Sequence, residues 1–146
     1  MSIEESPLVA LRRLNDLAAF NRWCQLEVVS AEPGVVEITL PWKMELGQYS
    51  GYLHAGLVAT LIDTACGYAA ATLAGTGLLA SHFSVNCLRP ATGERFFARA
   101  RVVKPGKSQF FTACELFANS RGKSTLVATG ETLLVVVGGA NHMELS

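Results

Sequence analysis

The sequence predicts an α+β fold in which a mostly antiparallel sheet of about six strands buries its apolar face against one long helix. Three observations carry this. Residues 55–74 form a nearly unbroken apolar run of helical length. The chain after it divides into strand-like segments with period-two alternation. The links between those segments are short and rich in turn residues.

Taken in order, Leu8, Leu11, Leu14, Leu17 and Phe20 recur at intervals of three, with Arg12, Arg13, Asn15 and Asp16 between them. This predicts an amphipathic N-terminal helix over about 7–20, with Pro7 in its first turn. Leu26–Val29 reads as a strand and 31–34 as a turn. In Val35–Leu40, Val36, Ile38 and Leu40 share one face, and Pro41 ends the strand. Residues 42–53 show no sustained period and read as a loop.

The apolar helix follows from Ala55 to about Ala74, with Gly75 and Gly77 as terminators. Ala59, Asp63, Cys66, Gly67, Ala70 and Ala74 make one side of small residues. Leu57, Leu61, Ala65, Tyr68 and Thr72 make the other. Strands are expected over 79–89, 94–104, 108–118 and 124–137, and their short links favour antiparallel neighbours. Phe96, Ala98, Ala100 and Val102 fall on one face, as do Phe110, Thr112, Cys114, Leu116 and Ala118. The wholly apolar Leu133–Val137 implies cover on both faces or a subunit contact. The tail 138–146 is expected to be poorly ordered. The whole reads as one domain over 1–146, with its core in about 21–137.

Composition narrows the function. Twelve basic residues balance twelve acidic ones in 146 residues, so no global attraction to nucleic acid or an anionic membrane is expected. Cys24, Cys66, Cys87 and Cys114 form no C-x-x-C pair and read as small buried hydrophobes, with no metal site. There is no P-loop and no G-x-G-x-x-G fingerprint, and no cofactor is expected. The N-terminal MSIEESP lacks the basic start of a secretory signal, which makes the cytoplasm the expected compartment. The apolar helix has the length of a membrane span. Asp63 within it and the interrupting glycines favour a helix walled by protein.

The chemistry-bearing residues lie around that helix. His54 stands at its start, where the amides of Ala55 and Gly56 have no intrahelical acceptor and are placed to receive a developing oxyanion. Gly56 leaves the backbone open to a ligand. His54 reads equally as a simple helix-start hydrogen-bonding residue. Asp63, set among Leu61, Ile62, Ala65 and Cys66, must be paired, protonated or functional. Nine residues of helix separate His54 from Asp63, about 13 Å. One chain therefore cannot bring both to one carbonyl, and a two-fold dimer supplies the arrangement twice.

The pattern H-x-G-x-x-x-x-L-x-D, met by His54, Gly56, Leu61 and Asp63, resembles the helix-start signature of the phenylacetate-pathway class of hotdog-fold thioesterases. Thr64-Ala65 with Gly67-Tyr68-Ala69, and the run Ser84–Ala91, resemble its continuation. The resemblance extends over roughly 21–137 and implies the hotdog fold, a sheet wrapped around a central helix. It implies hydrolysis of an acyl-coenzyme A by a homodimer with interfacial active sites, assembled as a dimer of dimers. Asp63 would be the nucleophile or general base, the N-H at Ala55 assisted by Gly56 the oxyanion hole, and His54 the residue ordering the turn. Gln48 stands where the class often has asparagine, and Ser81 is an approximate match to a serine or threonine at the next strand. Ala55 departs from the usual His-Gly-Gly by one methyl group.

Coenzyme A would bring phosphates, for which Arg89, Lys104, Lys107, Arg121 and Lys123 are candidates at strand ends and turns. Each reads equally as an ordinary solvated turn charge. Two other functions remain open: a non-catalytic acyl-thioester binding protein, and a thioester dehydratase or hydratase.

Overall fold

The alternation of apolar residues along β4 and β5 decides the architecture, because each strand puts one row of side chains on the same side. In the computed structural model, which describes residues 4–138, strands β1 (Glu27–Glu32), β2 (Val35–Pro41), β3 (Leu78–Cys87), β4 (Arg95–Lys104), β5 (Gln109–Ser120) and β6 (Lys123–Val136) form one sheet. Its order is β1-β2-β4-β5-β6-β3, with every pair antiparallel. Val36, Ile38, Phe96, Ala98, Cys114, Leu116 and Ala128 are buried on the face that receives helix α3 (Ala55–Ala74). This is the hotdog arrangement.

Small residues let α3 lie close. A Cβ at Gly130 of β6 would fall 2.7 Å from Ile62 Cγ2 and 2.7 Å from the Ser84 carbonyl oxygen. The core helix is long and apolar enough to cross a membrane, but Leu61, Ile62, Ala65, Cys66 and Ala69 are fully enclosed between helix and sheet. Gly75 ends it at φ +75°, a conformation that side-chain-bearing residues resist. Phe96, wholly buried and edge-on to Trp42 with ring centroids 6.5 Å apart, anchors the sheet end nearest the helix start. Phe96→Ala is expected to cost about 3–5 kcal/mol, read as a lowered urea midpoint at unchanged slope.

Several expectations change. The segment expected as one helix over 7–20 is two, α1 (Pro7–Leu17) and α2 (Ala19–Cys24), broken at Ala18, whose ψ is 114°. A strict three-residue spacing loses about 60° of rotation per step, so the apolar row leaves the buried face, and Leu17 is 66% exposed. Asn15, expected among the solvent-facing residues, is buried instead. β1 runs on through Ala31 to Glu32, leaving Pro33 and Gly34 as the turn.

On α3 the open side centres on Thr60, Asp63, Thr64 and Gly67, whereas Cys66 and Ala70 face the core. β3 and β4, expected as antiparallel neighbours, lie three positions apart, because β3 pairs with β6 at the far edge. A short link limits distance without choosing a neighbour. Residues 88–94 can reach about 23 Å, more than the roughly 14 Å of three strand spacings. In Leu133–Val137, Leu134 is buried toward the helix while Leu133 and Val135 are only half-buried on the outer face, so among the described residues one face is covered. The C-terminal tail expected from 138 onward lies, beyond Gly138, outside the described residues.

Candidate active site

The helix start is held by a loop with little freedom. After β2 a single 3-10 turn (Met44–Leu46) buries Leu46, and a bridge joins Gly47 to Leu53. The His54 N-H donates to the Leu46 carbonyl at 3.0 Å, and the Leu53 N-H to the Ala91 carbonyl at 2.9 Å. His54 then caps α3: its Nδ1 accepts the Gly56 N-H at 2.8 Å. The imidazole thus folds back on the helix start while the side chain stays exposed.

This cap revises the part expected of Gly56. A Cβ there would lie 2.9 Å from His54 Nδ1, so the glycine makes room for the imidazole, and its N-H is already engaged. Among the described residues the Ala55 N-H has no acceptor, which leaves it as the free first-turn donor. Gln48 Oε1 accepts the Ser50 N-H within its own turn, so only its amide NH2 is available outward. Gln48, Tyr52, Ala55, Val58 and Arg89 line one cleft of about 340 Å³.

Asp63 lies in a different cleft. It is half-buried on the open side of α3, and with Gly67, Tyr68, Leu79, Ala80 and Leu134 it lines a space of about 360 Å³. Burial pushes its carboxyl above the ordinary carboxylate range, with no opposing hydrogen bond or charge among the described residues. Beyond this cleft, Ser81 is the extra residue of a bulge in β3, since Ala80 pairs with Leu134 and His82 with Leu133. Phe83 pairs with the buried Thr132 and so shares the helix-facing side, yet it is 47% exposed. One protomer thus holds the helix-start donor and the mid-helix carboxylate in two separate clefts, as candidate groups that do not meet.

The candidate phosphate ligands divide in the same way. Lys104 and Lys107 flank the β4–β5 link, and Arg121 and Lys123 the β5–β6 link. The length of β5, roughly 37 Å, separates the two pairs, so no single phosphate in a protomer reaches both. Arg121 stands at φ +50° in a two-residue hairpin turn with Gly122. Arg89 lies against the helix-start cleft and donates to the Leu126 carbonyl at 2.8 Å.

The sequence pattern missed a polar network at the opposite side of the Asp63 cleft. Asn15, 4% exposed, donates to the Leu26 carbonyl at 2.8 Å and accepts from Tyr68 Oη at 2.8 Å and Asn21 Nδ2 at 3.0 Å. Burial pushes the Tyr68 hydroxyl up to about 12, so it stays a donor. The available signal was its place four residues after Leu11, on the same face of the helix. Cys66 and Cys114 face each other in the core, where a hydrogen bond to Cys66, then burial, raise the Cys114 thiol.

A family model described as the thioesterase superfamily matches residues 50–125, from the turn before His54 through β5 into β6. The chain belongs to the thioesterase superfamily. Human acyl-coenzyme A thioesterase 13 is 33% identical over 108 residues, which cover 73% of this chain and 76% of that protein. A thioesterase family protein from Silicibacter pomeroyi superposes with a TM-score of 0.87 at 34% identity, over 92% of this chain and 100% of the other. The E. coli PaaI protein of the phenylacetic acid degradation operon shares the fold, with a TM-score of 0.79 at 23% identity over 88% and 91%. The resemblance carried by His54, Gly56, Leu61 and Asp63 thus leads to the right superfamily, and the chain is a thioester hydrolase of hotdog fold.

Proposed function

We propose that this thioesterase hydrolyses acyl-coenzyme A at a site shared by two copies of the chain, Asp63 of one copy working with the Ala55 N-H of the other. The observation that carries the reading is the pairing, on a single helix, of a first-turn amide and a desolvated carboxylate that both lack a partner among the described residues. They are about 12 Å apart along the axis. Neither is complete alone: a donor without a reacting group, and a base without an oxyanion site.

In the reaction the thioester oxygen would accept the Ala55 N-H. Asp63 would then take a proton from the attacking water, or attack the carbonyl carbon itself and be released by water. In both routes the C–S bond breaks, and coenzyme A leaves as a thiolate that takes up a proton. A carboxylate with a raised pKa is the better base near neutral pH, which favours the first route. His54 orders the turn, and Gln48 offers its NH2 to the water or the carbonyl. Ser81, Arg89 and the remaining basic turn residues are the candidate contacts for coenzyme A.

A two-fold contact is supported by β3, which among the described residues ends the sheet with an unpaired edge and exposes Phe83 on its helix-facing side. A second contact through the outer sheet face, where Phe111 is also exposed, would give a dimer of dimers. Cys24, Cys66 and Cys114 are buried as expected whereas Cys87 is exposed, and four free cysteines suit the cytoplasm.

The test is thiol release from short, medium, long-chain and aromatic acyl-coenzyme A, and from the same acyl groups on a carrier protein. Turnover of coenzyme A thioesters that depends on Asp63 is expected. Saturable binding with the thioester recovered intact would replace this reading with a binding protein. Turnover confined to the carrier-protein thioesters would overturn the coenzyme A assignment.

A further inference from the structure

Two clefts meet at Leu14. The one beside Asp63 is closed toward the end of α3 by Leu14, Ala71, Gly75 and Thr76. The other, about 350 Å³, runs between α1 and the last turn of α3, walled by Pro7, Ala10, Leu11 and Leu17. Leu14, Ala71, Gly75 and Thr76 line both, so the two spaces abut across a single row of side chains. Ala71 lies eight residues beyond Asp63, about 12 Å along the helix. Each cleft alone sits near the small end of ligand pockets, roughly 300–1,000 Å³.

We propose that the clefts form one acyl channel running from Asp63 under α1, and that Leu14 is the residue that sets acyl-chain length. The inference rests on the hydrolase reading for the placement of the thioester at Asp63. Its occupant is an unbranched saturated chain. Beyond Leu14 the walls are mainly alkyl, and at the outer end the Arg13–Glu5 ion pair marks the return to polar surface. A chain without hydrogen-bonding groups loses nothing on entering such walls, whereas a hydroxylated acyl group would lose its water there.

Leu14 can act as a gauge because it does not drift. The next residue, Asn15, is tied to the Leu26 carbonyl and to Tyr68 of α3, which fixes α1 in both rotation and height on the central helix. Short chains end before Leu14. Long chains must pass it.

The experiment measures kcat/KM for butyryl-, octanoyl-, lauroyl- and palmitoyl-coenzyme A and reads the lauroyl-to-butyryl ratio. Leu14→Trp is expected to lower that ratio about tenfold, and Leu14→Ala to raise it about threefold. Changes below about twofold in both would overturn the proposal. In case the tryptophan variant does not fold, the wild-type protein is titrated calorimetrically with non-hydrolysable S-alkyl-coenzyme A thioethers from butyl to dodecyl. Affinity that keeps rising with length supports the channel, and affinity that stops rising at butyl overturns it. Rising affinity with no thiol release from any substrate would remove the hydrolase reading and leave the channel standing.

Discussion

Asp63→Asn is expected to lower kcat/KM for acyl-coenzyme A about 10²–10⁴-fold, the usual contribution of a positioned acid–base group. Asparagine keeps the shape of the side chain and removes both its charge and its basicity, so a comparable loss in Asp63→Ala would assign the effect to the carboxylate. Unchanged thiol release in both variants would end its assigned role. Stability should move the other way. Burial raises the Asp63 pKa in the folded chain, so the folded state holds a proton there more readily than the unfolded state. The wild type therefore loses stability as pH rises from the ordinary carboxylate range through the raised value, and asparagine has no such loss. Melting temperatures of wild type and Asp63→Asn should lie close together in acid and separate toward neutral pH, with the variant the more stable. The wild-type rate should rise over the same interval as Asp63 ionises.

Ala55→Pro should be almost as damaging to the rate while sparing the fold. Proline at the first helical position is well tolerated, because the N-H it lacks has no intrahelical partner and its φ is already helical. His54, at φ −58° and ψ 135°, has the extended backbone that a residue before proline requires. The substitution therefore deletes one hydrogen-bond donor and little else. Removing one oxyanion-hole donor costs about 10²–10³-fold in kcat. A normal melting temperature with normal activity would exclude the Ala55 amide from the reaction. Co-expressing Asp63→Asn with Ala55→Pro tests the shared site directly. A purified heterodimer carries one intact site and one doubly defective site, and should recover about half of wild-type activity. No recovery would place both groups in the same chain.

The parts of this protein legible in its sequence are those where one periodicity dominates. Phe96, Ala98 and Ala100 on β4, and Phe110, Cys114 and Leu116 on β5, are buried because a strand flanked on both edges has one row that must face the helix. Asp63 stood out because a charge among Leu61, Ile62 and Cys66 has no inexpensive explanation. Strand order was not legible, since a link of given length permits several neighbours. Nor was the use of Gly56, which depends on the His54 ring folding back on its own backbone, a local competition that spacing does not record. Asn15 was misread because a polar residue between the leucines of an amphipathic helix is ordinarily solvated. Its burial depends on partners in α2, α3 and the residue leading into β1.

The position of β3 also bears on how the chain is made. Its partners arrive late: Leu78 pairs with Val136, 136 minus 78 or 58 residues downstream. At about 5–20 residues per second, the ribosome needs roughly 3–12 s to supply that partner. Until then the nascent chain carries β3, with Leu79, Phe83 and Val85, without its complete partner strand. Mutations that slow completion of β6 should therefore lower soluble yield more than they lower the melting temperature of the protein that survives.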